Sequence, residues 1–233
     1  MAILYIVATP IGNLEDLTKR ALRILSEVNL ILCEDTRVTK KLLDYYNINN
    51  KVLSYHQHSK LKKIEYIIQL LKEGKNLALV SDAGTPGISD PGGRLLSKIN
   101  ETLENKVKVV PVPGASAIST AASISEFPMD KFLFLGFPPS KKKRKKFFEE
   151  IINSKYPVIF YESPHRIIKT LEELKEKDKR LGIMVARELT KKFETVHKGS
   201  IEKVIKNVKN DEIKGEFVVI VKRPWPKKNE NFI

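Results

Sequence analysis

Short apolar runs alternate with amphipathic segments through the first half of the chain. Residues 3–8 and 76–80 are nearly continuous apolar runs, a pattern typical of parallel strands buried on both faces. Apolar residues recur at helical spacing over residues 18–25 and 61–71, and Gly74 is placed to end the second of these helices. Further elements are predicted as strands at 29–33, 52–55 and 107–110 and as helices over 36–46 and from about 91. Strands that alternate with helices predict an α/β fold with a mostly parallel first sheet.

The second half is separated by the stiff sequence Pro-Val-Pro-Gly at residues 111–114. We therefore predict an N-terminal α/β domain over residues 1–112 and a C-terminal α/β domain over 115–225, followed by a polar tail at 226–233 whose composition is typical of disorder. Strands of the second domain are predicted at 132–135, 158–161, 182–186 and 216–221. The last two elements have a hairpin-like pattern, which predicts a mixed second sheet.

The loop at residues 81–93 has the most unusual composition in the chain. It reads Ser-Asp-Ala-Gly-Thr-Pro-Gly-Ile-Ser-Asp-Pro-Gly-Gly and directly follows a predicted buried strand. Glycines allow backbone to approach a ligand closely, and prolines stiffen the loop. Asp82 and Thr85 add side-chain acceptors. Because open α/β sheets bind ligands at the carboxyl ends of their strands, this loop is a candidate ligand site, although a plain surface turn is the alternative.

Three other loops follow predicted strands of the first half, at residues 9–16, 34–37 and 111–116, and a fifth lies at 161–166. The carboxyl ends of parallel strands share one sheet edge, so these loops are expected to converge. None contains a Walker phosphate loop or G-x-G-x-x-G, and Ser81 lacks the G-x-S-x-G elbow of a hydrolase. Nucleoside triphosphate chemistry and a serine triad are therefore not supported.

Charge adds a polyanion to the expected partners. The 233 residues include 42 Lys and Arg against 28 Asp and Glu, a formal net charge of +14. That surplus favours nucleic acid, although a generally basic surface is the alternative. One run is wholly cationic and is predicted to contact RNA phosphates, unless it is simply a solvated face: Lys141, Lys142, Lys143, Arg144, Lys145 and Lys146.

Redox and targeting signals are sparse. The single Cys33 excludes an internal disulfide and a cysteine-based zinc site, and the four histidines show no metal-ligand spacing, so no metal is expected. The first ten residues lack the basic segment of a signal peptide, and no apolar run reaches the roughly 18 residues of a membrane span. The sequence therefore predicts a cytoplasmic protein with no membrane partner.

The five loops together resemble one family. Residues 4–16 (LYIVATPIGNLED), 33–37 (CEDTR), 81–93, 112–117 (VPGASA) and 160–166 (FYESPHR) are similar to the rRNA-methylating branch of the tetrapyrrole methylase family. The resemblance extends from residue 4 to about residue 221. Porphyrin-modifying members tend to have G-x-G-x-G-D in the first loop, whereas this chain has Thr-Pro-Ile-Gly-Asn, which favours the rRNA branch.

The resemblance implies S-adenosylmethionine-dependent methylation of the 2′-hydroxyl of a cytidine in small-subunit rRNA, at the decoding centre, either as naked rRNA or within the assembled subunit. It also implies two α/β domains of the class III methyltransferase type, the cofactor in a cleft between them, and a homodimer. Carried over by motif, the cofactor-binding residues are Ile11, Asp82, Gly84, Thr85, Ser116, Ala117, Tyr161, Ala186 and Glu216. Longer members of the branch carry a further small C-terminal domain, so any RNA contact made there must be absent here or replaced by the basic run.

The expected chemistry leaves the proton acceptor open. A neutral ribose hydroxyl is a poor nucleophile, so a base that removes its proton during attack would help. The candidates are Glu34, Asp35, Glu162 and His165, with Arg37 or Arg166 holding a flanking phosphate. Alignment without any base is the alternative. Two other functions stay open at this point: a porphyrinoid methyltransferase, and a basic RNA-binding protein without catalysis.

Overall fold

The computed structural model describes residues 1–56, 59, 61–90, 92–104 and 106–222, and the predicted polar tail lies outside these residues. The chain divides into two compact units, Met1–Ser116 and Ala117–Ile233. Both are α/β units, one with an all-parallel sheet and one with a mixed sheet, as the sequence predicts. The domain boundaries drawn from the sequence, 1–112 and 115–225, stay predictions.

The first unit is built on a five-stranded sheet in which all neighbouring strands are parallel. The strands are β1 (Ala2–Val7), β2 (Leu30–Cys33), β3 (Val52–Ser54), β4 (Leu77–Val80) and β5 (Val107–Val112). Their spatial order is β3-β2-β4-β1-β5. The edge strand β5 continues two residues beyond its predicted end and includes Pro111, because a strand edge without a neighbour needs no amide hydrogen there.

Helices cover both faces of this sheet. They are α1 (Lys19–Glu27), α2 (Thr36–Tyr45), α3 (Leu61–Lys72) and α4 (Gly92–Leu103), with a short 3₁₀ turn at Leu14–Asp16. Leu77 and Leu79 of β4 pack with α3 and α4, whereas the intervening Ala78 and Val80 pack with α1 and α2. Burial of alternate residues on opposite faces explains why the strands of this unit are continuous apolar runs.

The helix ends follow local sequence signals. Thr18 caps α1 by accepting a hydrogen bond from the amide of Ala21 at 3.1 Å. Gly74 ends α3 with φ of 81°, and the amides of Gly74 and Lys75 donate to the carbonyls of Leu71 and Leu70. This pair of bonds is a Schellman motif, so the predicted helix stop at Gly74 is confirmed.

The strand order creates a switch point between β1 and β4. The chain leaves β1 through α1 toward the β3 edge, and it leaves β4 through α4 toward the β5 edge. The helices α1 and α4 pack on opposite faces. Loops that diverge in this way open a crevice at the carboxyl ends of the two strands, which is where ligands bind in such sheets.

The second unit contains a mixed five-stranded sheet. The strands are β6 (Leu133–Phe134), β7 (Val158–Glu162), β8 (Gly182–Arg187), β9 (Thr195–Ser200) and β10 (Phe217–Lys222), in the order β6-β7-β10-β8-β9. Strands β6 and β7 are parallel, and the other neighbours are antiparallel. The sequence misses β9 because Thr195–Ser200 is a half-buried edge strand with little apolar content, and β8 forms its hairpin with this strand rather than with β10.

Helices of the second unit are α5 (Ala117–Ser123), α6 (Arg144–Asn153), α7 (Ile167–Lys177) and α8 (Ile201–Asn210). The last three bury their apolar faces with Val158, Phe160, Ile183, Val185 and Val219 of the sheet. Helix α5 is absent from that cluster and packs against β10. The face of the sheet that carries Tyr161 is therefore distinct from the face covered by the larger helices.

Candidate functional site

Four loops at the carboxyl ends of the first sheet are joined by hydrogen bonds. The Thr9 amide donates to the Gly84 carbonyl at 2.9 Å, and the Gly84 amide donates back to the Thr9 carbonyl at 3.0 Å. The buried Thr9 hydroxyl also donates to the Ser81 carbonyl at 3.0 Å. The loops that leave β1 and β4 are thus fixed to each other at the switch point.

The other two loops attach to the same centre. The Thr85 hydroxyl donates to the Ala115 carbonyl at 3.2 Å, which connects the loop after β4 to the loop after β5. The Asp82 carboxylate accepts a hydrogen bond from the Asp35 amide at 3.0 Å, which adds the loop after β2. The expected convergence of the four first-half loops is therefore seen in the structure.

Two glycines allow this close approach. Gly84 has φ of +82°, and a Cβ there would lie 3.3 Å from Cγ2 of Ile11. A Cβ on Gly114 would lie 3.0 Å from the Cβ of Ala8. A larger residue at either position would push the loops apart, and at Gly84 it would also strain the backbone. These are the physical reasons for the small residues in both motifs.

The predicted cofactor residues of the first unit surround this centre. Ile11 is buried beside Gly84, and Thr85 is half-buried. Asp82 is exposed and uses one carboxylate oxygen for the Asp35 amide. An exposed carboxylate can accept hydrogen bonds from the ammonium or hydroxyl groups of a ligand. Ser116 is the last residue of this unit and Ala117 is the first residue of the next.

The neighbouring carboxylates of Glu34 and Asp35 have opposite pKa shifts. Burial raises the pKa of Glu34, and the negative charges of Asp82 and Asp90 raise it further. The Arg37 side chain donates to Asp35 and lowers the pKa of that carboxyl to about 2. Glu34 therefore has the stronger tendency to take up a proton, whereas Asp35 caps α2 and pairs with Arg37.

Arg37 occupies an open position despite that ion pair. Its guanidinium lies 2.6 Å from the Asp35 carboxylate, yet its side chain is 86% exposed. Two of its nitrogens are directed at one carboxylate. The remaining donor and the high exposure leave Arg37 able to meet a phosphate from solvent.

Glu162 is the most deeply buried of the four candidate bases. Its side chain has no exposed surface, and its carboxylate accepts hydrogen bonds from the Thr170 hydroxyl at 2.6 Å and the Ser163 amide at 2.8 Å. Arg166 adds an ion pair at 2.8 Å. Both carboxylate oxygens are thus occupied inside the protein, and a role of Glu162 as the base stays a prediction.

His165 and Arg166 lie in the turn before α7. His165 is exposed, with no hydrogen bond from its ring found among the described residues. Arg166 also donates to the Pro138 carbonyl at 3.0 Å and to the Ser163 hydroxyl. Its side chain is 30% exposed. Through these hydrogen bonds its guanidinium joins the turn after β7 to the segment after β6.

The predicted cofactor residues of the second unit include two on one face of the sheet. Tyr161 of β7 is paired with Val218 of β10, which in turn is paired with Ala186 of β8. The Tyr161 ring makes an edge contact with Phe134 and a tilted contact with Phe137, at 5.1 and 5.3 Å between centroids. Burial, followed by the negative charge of Glu216, raises the pKa of Tyr161 to about 12, so its hydroxyl stays protonated. Tyr161, Val218 and Ala186 therefore form a flat apolar surface with one hydroxyl donor, that of Tyr161.

Glu216 belongs to a network at the start of β10. Its amide donates to the Glu188 carboxylate at 2.9 Å, and Lys191 bridges Glu188 and Glu216 at 2.8 and 3.0 Å. A Cβ on Gly215, whose φ is +85°, would clash with the Glu188 carboxylate. A larger residue there would strain the backbone and displace the end of the Glu188 side chain.

The basic run does not present all six of its cations to solvent. The five lysines are exposed, and among the described residues only Lys145 has an acidic partner, Glu149 at 3.9 Å. Arg144 turns inward, with 12% of its side chain exposed, and bonds to Glu173 and Thr170. Its guanidinium is already held by protein groups, and a phosphate contact at Arg144 stays a prediction. Sequence reasoning missed Thr170 and Glu173, whose contact with Arg144 follows from the fold alone.

Metal centres and membrane spans are absent from the part of the chain that the structure describes. Among those residues, no group of three or more His, Cys, Asp or Glu is arranged to hold a metal ion. None of the helices there is long and apolar enough to cross a membrane.

The chain is similar to a family model, to named methyltransferases and to solved structures. The family model for tetrapyrrole (corrin/porphyrin) methylases matches residues 3–205. The ribosomal RNA small subunit methyltransferase I of Bacillus subtilis is 46% identical over 222 residues, covering 95% of this chain and 75% of that protein. The protein of the same name from Thermotoga maritima is 42% identical and is covered to 98%. Among solved structures, diphthine synthase shares the fold with a TM-score of 0.73, over 97% of this chain and 92% of that one, at 13% identity.

Proposed function

Because the chain belongs to the tetrapyrrole methylase family, in the branch of the rRNA small subunit methyltransferases I, we propose that it methylates the 2′-hydroxyl of a cytidine in small-subunit rRNA. The main support for rRNA as the methyl acceptor is the identity of 42–46% with relatives of that name across 95% of the chain. The Thr-Pro-Ile-Gly-Asn loop at residues 9–13 supports the same branch.

The enzyme uses S-adenosylmethionine, which supplies a methyl group activated by a sulfonium. We propose that Ile11, Asp82, Gly84 and Thr85 hold the cofactor in the first unit, since their loops are fixed together at the switch point. Ser116 and Ala117 follow the same connection. In the second unit, the proposal assigns Tyr161 and Ala186 as an apolar wall and the backbone near Glu216 as a polar contact.

Glu34 is the base that the electrostatics favour. A carboxylate with a raised pKa accepts a proton more readily than one with a lowered pKa, which separates Glu34 from Asp35. Glu162 is enclosed by its own partners, and His165 remains a second choice on an exposed turn. In this proposal Glu34 takes the proton of the 2′-hydroxyl, while Arg37 holds a neighbouring phosphate.

The exposed lysines of the basic run are proposed to bind the RNA backbone. Lys141, Lys142, Lys143 and Lys146 present their charges to solvent, and the net charge of +14 favours a polyanion. Such contacts set affinity without choosing a base. The proposal includes a homodimer that acts in the cytoplasm on small-subunit rRNA or the assembled subunit.

The test compares acceptors with one radiolabelled cofactor. Purified protein would be given methyl-labelled S-adenosylmethionine with small ribosomal subunits that lack the modification, with the naked rRNA, or with a porphyrinoid. Label in the rRNA of either ribosomal acceptor supports the proposal. Label in the porphyrinoid alone would move the function to tetrapyrrole methylation, and RNA binding without any transfer would leave a non-catalytic RNA-binding protein.

A further inference from the structure

The loop between β8 and β9 has features that the cofactor and the basic run do not account for. We propose that this loop, residues 188–194, is an RNA-binding element in which Phe193 stacks on an unpaired nucleobase and Lys192 contacts the adjoining phosphate. The inference rests on the proposed function for its choice of RNA as partner. It adds a base-stacking site to a substrate surface otherwise built from phosphate contacts.

Phe193 is unusually exposed for an aromatic residue. Its surface is 62% accessible, the largest value among the exposed Phe and Tyr residues of the described chain. The Lys192 ammonium lies 5.4 Å from the centre of the ring. An open aromatic face beside a cation is the combination that single-stranded RNA sites use, because the ring stacks on a base while the cation meets the backbone.

The loop backbone is held in conformations that residues with a Cβ rarely adopt. Glu188 has φ of +52° and Thr190 has φ of +68°. Thr190 is β-branched, so this conformation is a strong departure from its preference. Strain of this kind persists only where surrounding contacts impose it, and it concentrates at binding and catalytic sites.

Buried Arg187 supplies the main contact beneath the loop. Its side chain is 6% exposed, and its guanidinium donates to the Phe193 carbonyl at 3.1 Å and to the Glu212 carbonyl. Asp211 lies 3.5 Å away as its counter-ion. The carbonyl of the exposed phenylalanine is thus fixed from below while its ring faces solvent.

Further hydrogen bonds close the loop on itself. The Thr190 amide donates to the Glu194 carboxylate at 2.6 Å, and the Glu194 amide donates to the Lys191 carbonyl at 3.1 Å. A loop fixed at so many points loses little conformational entropy when it binds. The exposure of Phe193 is therefore a feature of an ordered loop.

The same loop is attached to a proposed cofactor segment. The Glu188 amide donates to the Glu216 carbonyl at 2.9 Å, and the Glu188 carboxylate accepts from the Glu216 amide. Lys191 bridges both carboxylates. A base stacked on Phe193 would accordingly be held by the same element that is attached to the proposed cofactor residue Glu216.

The test uses a single-stranded RNA oligonucleotide that carries a fluorescent 2-aminopurine beside a cytidine. Stacking on Phe193 should quench the probe in the wild-type protein. Phe193→Leu keeps an apolar side chain but removes the ring, so it should weaken binding by roughly 5- to 100-fold and abolish the quenching. Phe193→Trp keeps an aromatic ring, so it should retain both RNA affinity and quenching of the probe. Tyr156→Leu is the matched control, since Tyr156 is also exposed and has the Lys131 ammonium 5.8 Å from its ring, and it should stay within about twofold of wild type.

Three results would overturn the inference. One is wild-type affinity in Phe193→Leu, and another is equal loss in the leucine and tryptophan variants. The third is a changed molecular mass by light scattering with unchanged RNA affinity, which would assign Phe193 to a contact between protein copies. Failure of the proposed function has a different signature: the wild-type protein would quench the RNA probe but would not methylate ribosomal subunits.

Discussion

At the scale of single residues, two adjacent carboxylates show how position decides chemistry. Glu34 and Asp35 follow the same strand, yet burial and nearby acids raise the pKa of one, while an arginine lowers the pKa of the other to about 2. Sequence proximity alone made both of them candidate bases. Their opposite environments favour Glu34 as the proposed base, whereas Asp35 caps α2 and pairs with Arg37.

We predict that Glu34→Gln lowers kcat by roughly 100-fold or more and leaves cofactor affinity unchanged. Folding raises the pKa of Glu34, so the protonated side chain contributes to the free energy of unfolding and this contribution is lost as pH rises through that pKa. At neutral pH the ionised Glu34 therefore does not stabilise the protein. We therefore expect Glu34→Gln to remain folded. In the wild type, kcat should rise with pH through a value above 4.5.

Asp35→Asn is the comparison variant for this measurement. It should reduce kcat far less than Glu34→Gln, since a carboxylate with a pKa of about 2 is a weak base. Equal and small effects of both substitutions would favour catalysis by alignment alone.

We also predict opposite effects from two Gly→Ala substitutions in neighbouring segments. Gly84→Ala should reduce the free energy of unfolding by more than about 1 kcal/mol, because its φ is +82° and Ile11 lies 3.3 Å from the added methyl. Gly93→Ala should be neutral or stabilising, since Gly93 is helical and nothing lies within 4 Å of its new Cβ. Chemical denaturation measures both, and calorimetry should show weaker cofactor binding in Gly84→Ala only.

At the scale of elements, one buried carboxylate connects three segments of the second unit. Glu162 ends β7, accepts from Thr170 of α7 and pairs with Arg166, which also reaches the Pro138 carbonyl. Thr170 in turn accepts from Arg144 at the start of α6. The backbone from which the exposed lysines project is therefore anchored to β7 and α7.

We predict that Glu162→Ala lowers the free energy of unfolding by about 3 kcal/mol, because it leaves the Arg166 charge and the Thr170 hydroxyl without their buried partner. Glu149→Ala is the control, since it removes an exposed partner 3.9 Å from Lys145 and should change stability by less than about 0.5 kcal/mol. Urea denaturation of both variants measures the difference. A reduction of similar size in the two would contradict the anchoring role of Glu162.

The helices and strands also show which structural features can be predicted from the sequence and which cannot. Strand β4 is predicted at Leu77–Val80 because burial on both faces gives a continuous apolar run. Strand β9 is missed, since an edge strand needs no such pattern. The Gly- and Pro-rich loops identify the candidate site locally, whereas the inward turn of Arg144 depends on Thr170 and Glu173, 26 and 29 residues away in sequence. Contacts of that range are set by tertiary packing, which a local pattern does not encode.

At the scale of the whole molecule, the position of the positive charges, and not only their excess, should control RNA affinity. We predict that replacing Lys141, Lys142, Lys143 and Lys146 by serine makes RNA binding weaker and less dependent on salt, with the slope of log affinity against log salt falling by about 0.7–0.9 for each phosphate that is no longer neutralised. Replacing the exposed Lys62, Lys72, Lys75 and Lys106 changes the net charge equally. That control should leave the slope nearly unchanged, and equal slopes for the two variants would mean that binding depends only on net charge.

The most direct test of the central claim is to locate the transferred methyl group. Small subunits methylated by the purified protein would be digested to nucleosides and analysed by mass spectrometry, with the position then mapped by nuclease protection. We predict one 2′-O-methylcytidine per subunit, formed at least about 100-fold more slowly by Glu34→Gln. A methyl group on a base or on ribosomal protein would contradict this prediction, as would the absence of transfer to both small subunits and naked rRNA.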